Sequence, residues 1–332
     1  MQKALILVNI GSPDKPEKQY VKRFLKEFLN DRHVINLPWL ARKILVNCII
    51  IPFRTPKSTA LYKQLWTERG SPLLFYMQGL EKKTKAFLST DYQIYTAYRY
   101  GSLSLKKSLQ HIKNQNFDEV IIFPMFPQYA SSTTGSIIDV VNKEIKTWII
   151  KPYLKIIPQF YHHPAFIDSW VKNIKQFDYQ SYEKIVFSYH SLPLSHIRNL
   201  HSSVKENTCT CFSEMPQYGS HCYKATCYQT TRLLADSLQL SKNKYITTFQ
   251  SQISENWLSP FTDTTILALA QNKIKKILVI TPSFTTDCLE TIYEIGKEYK
   301  EMFLRNGGEE LTLVPCLNDS DSWVKAIAEI IK

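Results

Sequence analysis

Glycine is scarce: the 332-residue chain has only 9, and neither a G-x-G-x-x-G nor a G-x-x-x-x-G-K-[ST] segment occurs. Backbone cradles for pyrophosphate or triphosphate need such glycines, so a dinucleotide or nucleoside triphosphate site is not expected. Long apolar runs are missing as well. The longest, 44–53, is too short to span a bilayer. No low-complexity tract is present, and 44% hydrophobic against 21% charged residues excludes global disorder. Met1-Gln2-Lys3 runs directly into a strand-like segment without the design of a signal peptide, so a cytoplasmic protein is expected. Acidic residues are outnumbered, 29 against 41 Lys and Arg, for a formal charge of +12. Such a surplus favours acidic partners. The cations are spread along the chain and form no nucleic-acid motif, so an anionic small molecule or an anionic membrane surface fits better than nucleic acid.

What is present is a repeated alternation. Strand-like runs at 4–10, 94–99 and 120–124, then at 184–188, 244–249, 276–281 and 311–314, are separated by helical patterns such as 17–29, 103–113, 137–149 and 261–271. This is the pattern of parallel α/β sheets, occurring twice. The expected domains are 1–150 and 151–319, with a terminal helix at 320–331 packing back on the first. Open α/β sheets bind ligands at the carboxyl ends of their strands.

One helical stretch, 286–304, carries an unusual stripe. Asp287, Glu290, Glu294 and Glu298 recur at steps of three and four, flanked by Leu289, Ile292, Tyr293 and Ile295. Thr285 or Thr286 is the expected N-cap. Carboxylates set among apolar side chains are costly unless they bind a cation, share protons or line a wet channel. An ordinary polar helix face is the plainer alternative.

Six segments, taken in order, resemble the ferrochelatases, which insert ferrous iron into a porphyrin. They are Leu7-Val8-Asn9-Ile10-Gly11-Ser12-Pro13-Asp14; Arg69-Gly70-Ser71-Pro72-Leu73; the run Pro127-Gln128-Tyr129-Ala130-Ser131-Ser132-Thr133-Thr134-Gly135-Ser136; Ser188-Tyr189-His190-Ser191-Leu192-Pro193; Gln250-Ser251 with Trp257-Leu258; and Asp287-Cys288-Leu289-Glu290-Thr291. The resemblance implies two Rossmann-like domains with parallel four-stranded sheets flanked by helices. It makes His190 the active-site histidine and Glu290 its facing carboxylate. Asp287, Glu294 and Glu298 then continue an acidic line along a partly π-helical segment that handles iron or protons. Imidazole and carboxylate oxygens suit Fe²⁺ in transit because they hold it without trapping it. Asn9, Ile10, Arg54, Tyr62, Ser71, Arg99, Tyr100, Tyr129 and Trp257 fall on the family's substrate-contacting segments. His162, His163, His196 and His201 have no comparable context.

Four of the seven cysteines, Cys209, Cys211, Cys222 and Cys227, lie in a polar insertion at 205–227. Clustered thiols in an intracellular protein point to a metal site rather than to disulfides. Zinc and [2Fe–2S] are both chemically sound; the resemblance, to bacterial members with an internal cluster segment, favours [2Fe–2S]. Cys48, Cys288 and Cys316 are expected to be core residues.

The stretch 35–53 has two readings: an apolar lip that would let the protein rest peripherally on the inner face of a membrane, or an ordinary core helix. Function has three. Insertion of Fe²⁺ into protoporphyrin IX leads, coproporphyrin III is the alternative substrate, and a non-catalytic porphyrin- or haem-binding sensor is the alternative of another class. Monomer and homodimer both remain open.

Overall fold

A computed structural model describes residues 1–198 and 209–332. His201 and residues 205–208 of the cysteine insertion lie outside the described residues. Two compact units emerge, Met1–Gln159 with Ile331–Lys332, and Phe160–Ile330.

The first unit is built on β1 (Lys3–Asn9), β2 (Tyr92–Tyr98), β3 (Glu119–Pro124) and β4 (Tyr153–Ile156), all parallel, in the order β2-β1-β3-β4. The second repeats that order with β5 (Lys184–His190), β6 (Tyr245–Gln250), β7 (Lys276–Ile280) and β8 (Glu310–Leu313), as β6-β5-β7-β8. Strands covered by helices on both faces read as continuous apolar runs. Ala4 to Val8 in β1, Ile185 to Phe187 in β5 and Ile277 to Ile280 in β7 accordingly have no exposure.

In both sheets the chain runs from the first strand to the second on one side, then crosses to a third strand on the other. The carboxyl ends of the first and third strands therefore flank the point where strand order reverses, which is where such sheets bind ligands. In both units a π-helix follows the third strand: Ser131–Gly135 after β3 and Leu289–Tyr299 after β7. Single π-turns are usual, and π geometry is frequent at functional sites. An eleven-residue run is therefore a strong local marker.

Two boundaries differ from expectation. The strand β4 lies in the stretch expected to link the domains. Its four residues, none of them fully buried, pair with β3 from Glu119↔Tyr153 to Ile122↔Ile156 and extend the first unit to Gln159. The terminal helix Asp321–Ile330 belongs to the second unit, not the first. It packs on helix Pro164–Ile174, where Trp323 meets Phe166 and Ser169 Oγ donates to the Ser322 carbonyl at 3.1 Å. Only Ile331 and Lys332 join the first unit, where Lys155 Nζ donates to the Ile331 carbonyl at 2.7 Å.

The stretch 35–53 is not a core helix. It forms helix Trp39–Ile44, a π-helix Leu45–Ile50 and the start of helix Ile51–Leu65. Val46 and Ile51 face inward, while Trp39, Leu40, Ile44 and Phe53 are more than half exposed. Cys48 is exposed with them, so it is not a core residue; Cys288 and Cys316 are buried as expected.

Candidate active site

His190 is the last residue of β5, and Gln250 stands opposite it at the end of β6. The His190 ring is fixed from one side. Its Nδ1 lies 2.5 Å from the Ser191 carbonyl, which can only accept, so a neutral ring carries its proton on Nδ1 and leaves the Nε2 lone pair free. The backbone is held too: Ser283 Oγ receives the His190 amide at 3.3 Å and Tyr223 donates to the His190 carbonyl at 2.8 Å. The Phe284 ring stands 6.2 Å from the imidazole.

The loop after β7 leads into the π-helix. Its N-cap is Cys288 rather than Thr285 or Thr286, through a reciprocal box in which the Cys288 sulfur accepts from the Thr291 amide and Thr291 Oγ1 accepts from the Cys288 amide. The helix therefore starts at Leu289, three residues later than expected. That removes Asp287 from the stripe. Asp287 is 6% exposed, and its carboxylate accepts from Asn318 Nδ2 at 2.7 Å, Thr291 Oγ1 at 3.1 Å and the Cys316 amide at 3.2 Å. Both oxygens are engaged in pinning the start of the π-helix to the loop beyond β8. Asp287 is an anchor, not part of the ridge.

Glu290, Glu294 and Glu298 do form a ridge. In an α-helix every fourth side chain drifts by about 40° around the axis, whereas the wider π turn brings such residues closer to one line. Glu290 is half-buried, with its carbonyl held by Gln250 Nε2 at 2.8 Å. Gln250 is itself fully buried and braced by Ser188 Oγ at 2.8 Å. Glu294 sits in the middle and receives Ser251 N at 2.8 Å, Ser251 Oγ at 2.5 Å and Tyr299 OH at 2.7 Å. Burial raises its pKa above the ordinary carboxylate value. The hydrogen bonds from Ser251 and Tyr299 oppose that shift, the Glu290 charge adds to it, and His190 counters it weakly. Glu294 is thus electrostatically in touch with both Glu290 and His190. Glu298 is exposed. Burial, with the Glu290 carboxylate beside it, pushes the Cys288 thiol well above its usual pKa, so Cys288 is a neutral donor toward Glu290.

Of the expected substrate contacts, Trp257 belongs to the second unit, bridged to Pro193 and half-buried. The other eight belong to the first. Asn9 and Ile10 stand at the end of β1, where Asn9 Oδ1 accepts from the Ile10 amide at 2.7 Å. Gly11 follows at φ +105°, and a Cβ there would fall 2.3 Å from the Tyr100 carbonyl, so the turn admits only glycine. Tyr129 places its hydroxyl over Gly135, 2.9 Å from where a Cβ would be. Arg54 is exposed, and Tyr62 packs edge-on to Phe24. Ser71, Arg99 and Tyr100 are engaged internally. Ser71 Oγ, 2% exposed, donates to Ser12 Oγ at 2.8 Å. Arg99 Nη2 pairs with Asp31, its Nε donates to Ser136 Oγ at 2.6 Å, and Tyr100 OH donates to Asp31 at 2.9 Å. Asp31, the hub of this network, was not among the expected residues; a lone Asp after a helix gives no periodic signal.

The thiols of Cys209, Cys211, Cys222 and Cys227 are neighbours. Cys211, Cys222 and Cys227 are at most 1% exposed, and none of the four is in a disulfide. Burial foremost, then the hydrogen bond its S–H donates to the Cys209 side chain, raises the Cys211 pKa to about 12, and its sulfur feels Cys222 as well. Cys227 is raised by burial, Cys222 and Cys211. Lys224 lies close enough to counter both Cys211 and Cys222. Among the described residues no three His, Cys, Asp or Glu side chains close on one point as a formed ligand set.

The sequence matches the ferrochelatase family over residues 2–332. It is 42% identical to a ferrochelatase of Legionella pneumophila (strain Lens) over 336 residues, covering 100% of this chain and 99% of that one. A ferrochelatase of Coxiella burnetii (strain CbuK_Q154) is 36% identical over 339 residues, covering 99% and 92%. Among solved structures, SirB from Bacillus subtilis with Fe³⁺ superposes with a TM-score of 0.56 at 10% identity, covering 100% of this chain and 94% of its own, which speaks to the fold alone. With full-length identity at this level and a chelatase fold, the chain belongs to the ferrochelatase family of porphyrin metal chelatases, enzymes of the lyase class.

Proposed function

We propose that this chelatase inserts Fe²⁺ into protoporphyrin IX to form protohaem, with His190 and Glu290 as the groups that face the macrocycle. The observation that carries the reading is that Gln250, paired with His190 across the strand ends, holds the Glu290 carbonyl at 2.8 Å beside the strand-order reversal of the second sheet. Insertion removes two pyrrole protons and strips water from the metal. The free Nε2 lone pair of His190 can take a proton, with the ring held in that tautomer by Ser191. Glu290 offers a carboxylate at the start of the helix. Glu294, whose carboxyl is held back from ionising by burial yet cradled by three donors, can pass protons on. The exposed Glu298 completes a line to solvent. Anaerobic assay with Fe²⁺ and either protoporphyrin IX or coproporphyrin III tests this. Faster metallation of coproporphyrin would reassign the substrate, and porphyrin binding without metallation would make the protein a sensor.

We propose that the four thiols hold a [2Fe–2S] cluster: three of them are buried, none is in a disulfide, and Lys224 lies close enough to offset thiolate charge, although they do not yet close on one point. Cys209, Cys211, Cys222 and Cys227 would hold it, and metal binding would draw the set closed. The cluster would supply one-electron redox chemistry, which metallation does not use. Visible absorbance with iron and sulfide analysis after anaerobic purification tests it; a colourless zinc protein would refute it.

The exposed ridge of Trp39, Leu40 and Ile44 supports peripheral contact with a membrane surface. Among the described residues no helix is long and apolar enough to cross one.

A further inference from the structure

The +12 charge finds no role in the chemistry above, but it has a focus. Within the first unit, helix Lys18–Leu29, helix Trp39–Ile44 and helix Ser136–Ile145 border a cavity of about 750 Å³. Eight cationic side chains line it against four carboxylates. Each carboxylate already has a cation of the same lining: Glu27 takes Arg23 at 3.3 Å, Asp31 takes Arg99, Asp139 takes Lys143 at 2.8 Å and Arg32 at 3.3 Å, and Glu144 takes Lys106 at 3.4 Å. Lys26, Arg42 and Lys43 are left without an ion pair among the described residues.

Arg42 is the unusual member. It is only 8% exposed, yet no carboxylate meets it. Its Nη1 donates to the carbonyls of Leu37 at 2.7 Å and Ile35 at 3.5 Å, and its enclosed Nε has no acceptor at all. A buried guanidinium without a counter-charge is costly, and buried charges are ordinarily paired. The two carbonyls fix the direction of the fork, while the charge itself stays uncompensated. A planar guanidinium lining the same cavity as two lysines without ion pairs matches clustered phosphate oxygens, which Arg grips as a fork and Lys as a point charge. The cavity has the size of small-molecule sites, which run from about 300 to 1,000 Å³.

We propose that the first unit carries a binding site for a small molecule bearing a diphosphate or an equally dense cluster of phosphate oxygens, with Arg42 at its floor and Lys26 and Lys43 at its rim. His190 and the glutamate ridge belong to the second unit, and none of their residues lines this cavity. Arg99 and Tyr100, two of the expected porphyrin contacts, also line the cavity, but both are turned onto Asp31, so the proposal rests on Arg42, Lys26 and Lys43.

The test is calorimetric titration of the full chain with inorganic pyrophosphate in metal-free buffer, paired with thermal melts. One site is expected, with a raised melting temperature and an affinity that weakens with salt. Orthophosphate, offering fewer oxygens, should bind more weakly. Arg42→Gln should weaken pyrophosphate by about tenfold or more. Because that buried substitution can disturb folding, Lys26→Gln/Lys43→Gln serves as a second variant at the rim and should also lose about tenfold. Phosphate oxygens can equally come from lipid headgroups, so vesicles with and without phosphatidylglycerol form a second arm. Three results would overturn the proposal: no pyrophosphate binding by the wild-type protein, equal binding by wild type and folded variants, or capture by anionic vesicles without affinity for pyrophosphate.

Discussion

Replacing Tyr299 by Phe removes one hydroxyl and leaves the ring that packs with Ile295 and Phe303. The lost atom is the donor 2.7 Å from Glu294 Oε1. A hydrogen bond to a charged group contributes about 1.5–3 kcal/mol, and because Phe keeps the volume no cavity cost is added to that loss. The effect on ionisation is larger. The Glu294 carboxyl is already pushed upward by burial and by the Glu290 charge, and Ser251 and Tyr299 are what oppose that shift. With Tyr299 gone, only Ser251 remains, through its amide at 2.8 Å and its hydroxyl at 2.5 Å. Those two contacts are retained, so the lower end of the range applies: about 1.5 kcal/mol, roughly tenfold in the ionisation constant. The sign is fixed, because losing a donor to the ionised form raises the pKa further. If ionised Glu294 passes protons during metallation, the acid limb of the kcat profile moves up by about one pH unit. Activity near neutrality falls and returns on the alkaline side, while porphyrin affinity is unchanged. Stopped-flow metallation across pH under anaerobic conditions measures this. An acid limb in the wild-type position, with only a lower plateau, would refute the role assigned to Glu294.

Three further outcomes follow from other parts of the structure. Asp31→Ala should lower stability by about 3–5 kcal/mol, read from denaturant midpoints, because it strands the Arg99 guanidinium in a largely buried setting. Burial of Asp31 pushes its pKa up, but the Ser136 hydroxyl, the His33 amide, Arg99 and Tyr100 together bring it below the usual 3.8. That stabilisation is full above about pH 4 and fades as pH falls through the lowered folded-state value, so the variant should lose the acid-dependent part of the wild-type profile. Cys222→Ser should abolish the visible absorbance of the anaerobically purified protein, and an unchanged spectrum would exclude Cys222 as a ligand. Glu298→Gln, at the exposed end of the ridge, should reduce turnover by less than about tenfold, whereas Glu290→Gln should reduce it far more; comparable losses would contradict the direction of the line.

Most of this architecture is readable from residues. Continuous apolar runs such as Ile277 to Ile280 mark the buried central strands, and seven of the eight described strands fall where the sequence has a strand-like run. The eighth, Tyr153–Ile156, does not: at a sheet edge only one side needs to be apolar, and four residues give no period to read. The ridge was legible as a stripe because steps of four survive the change from α to π geometry. Its first member was not. Asp287 sits at the right spacing, but Cys288 begins the helix after it, and cysteine is not an N-cap that composition would suggest. Arg99 and Ser71 reveal a different limit. Sequence position marks a residue as placed near a site, yet whether its polar atoms are free depends on distant partners such as Asp31 and Ser12, which only the folded chain brings together.

The central claim is that His190 and Glu290 act on the metal and the pyrrole protons rather than on porphyrin binding. Anaerobic metallation of protoporphyrin IX by wild type, His190→Ala and Glu290→Gln, with porphyrin affinity read by fluorescence in the same samples, tests it most directly. The account predicts that ferrous insertion falls by about 10²- to 10⁴-fold in each variant while the porphyrin Kd stays within about threefold. Parallel losses of binding and turnover, or metallation by Glu290→Gln at the wild-type rate, would contradict it.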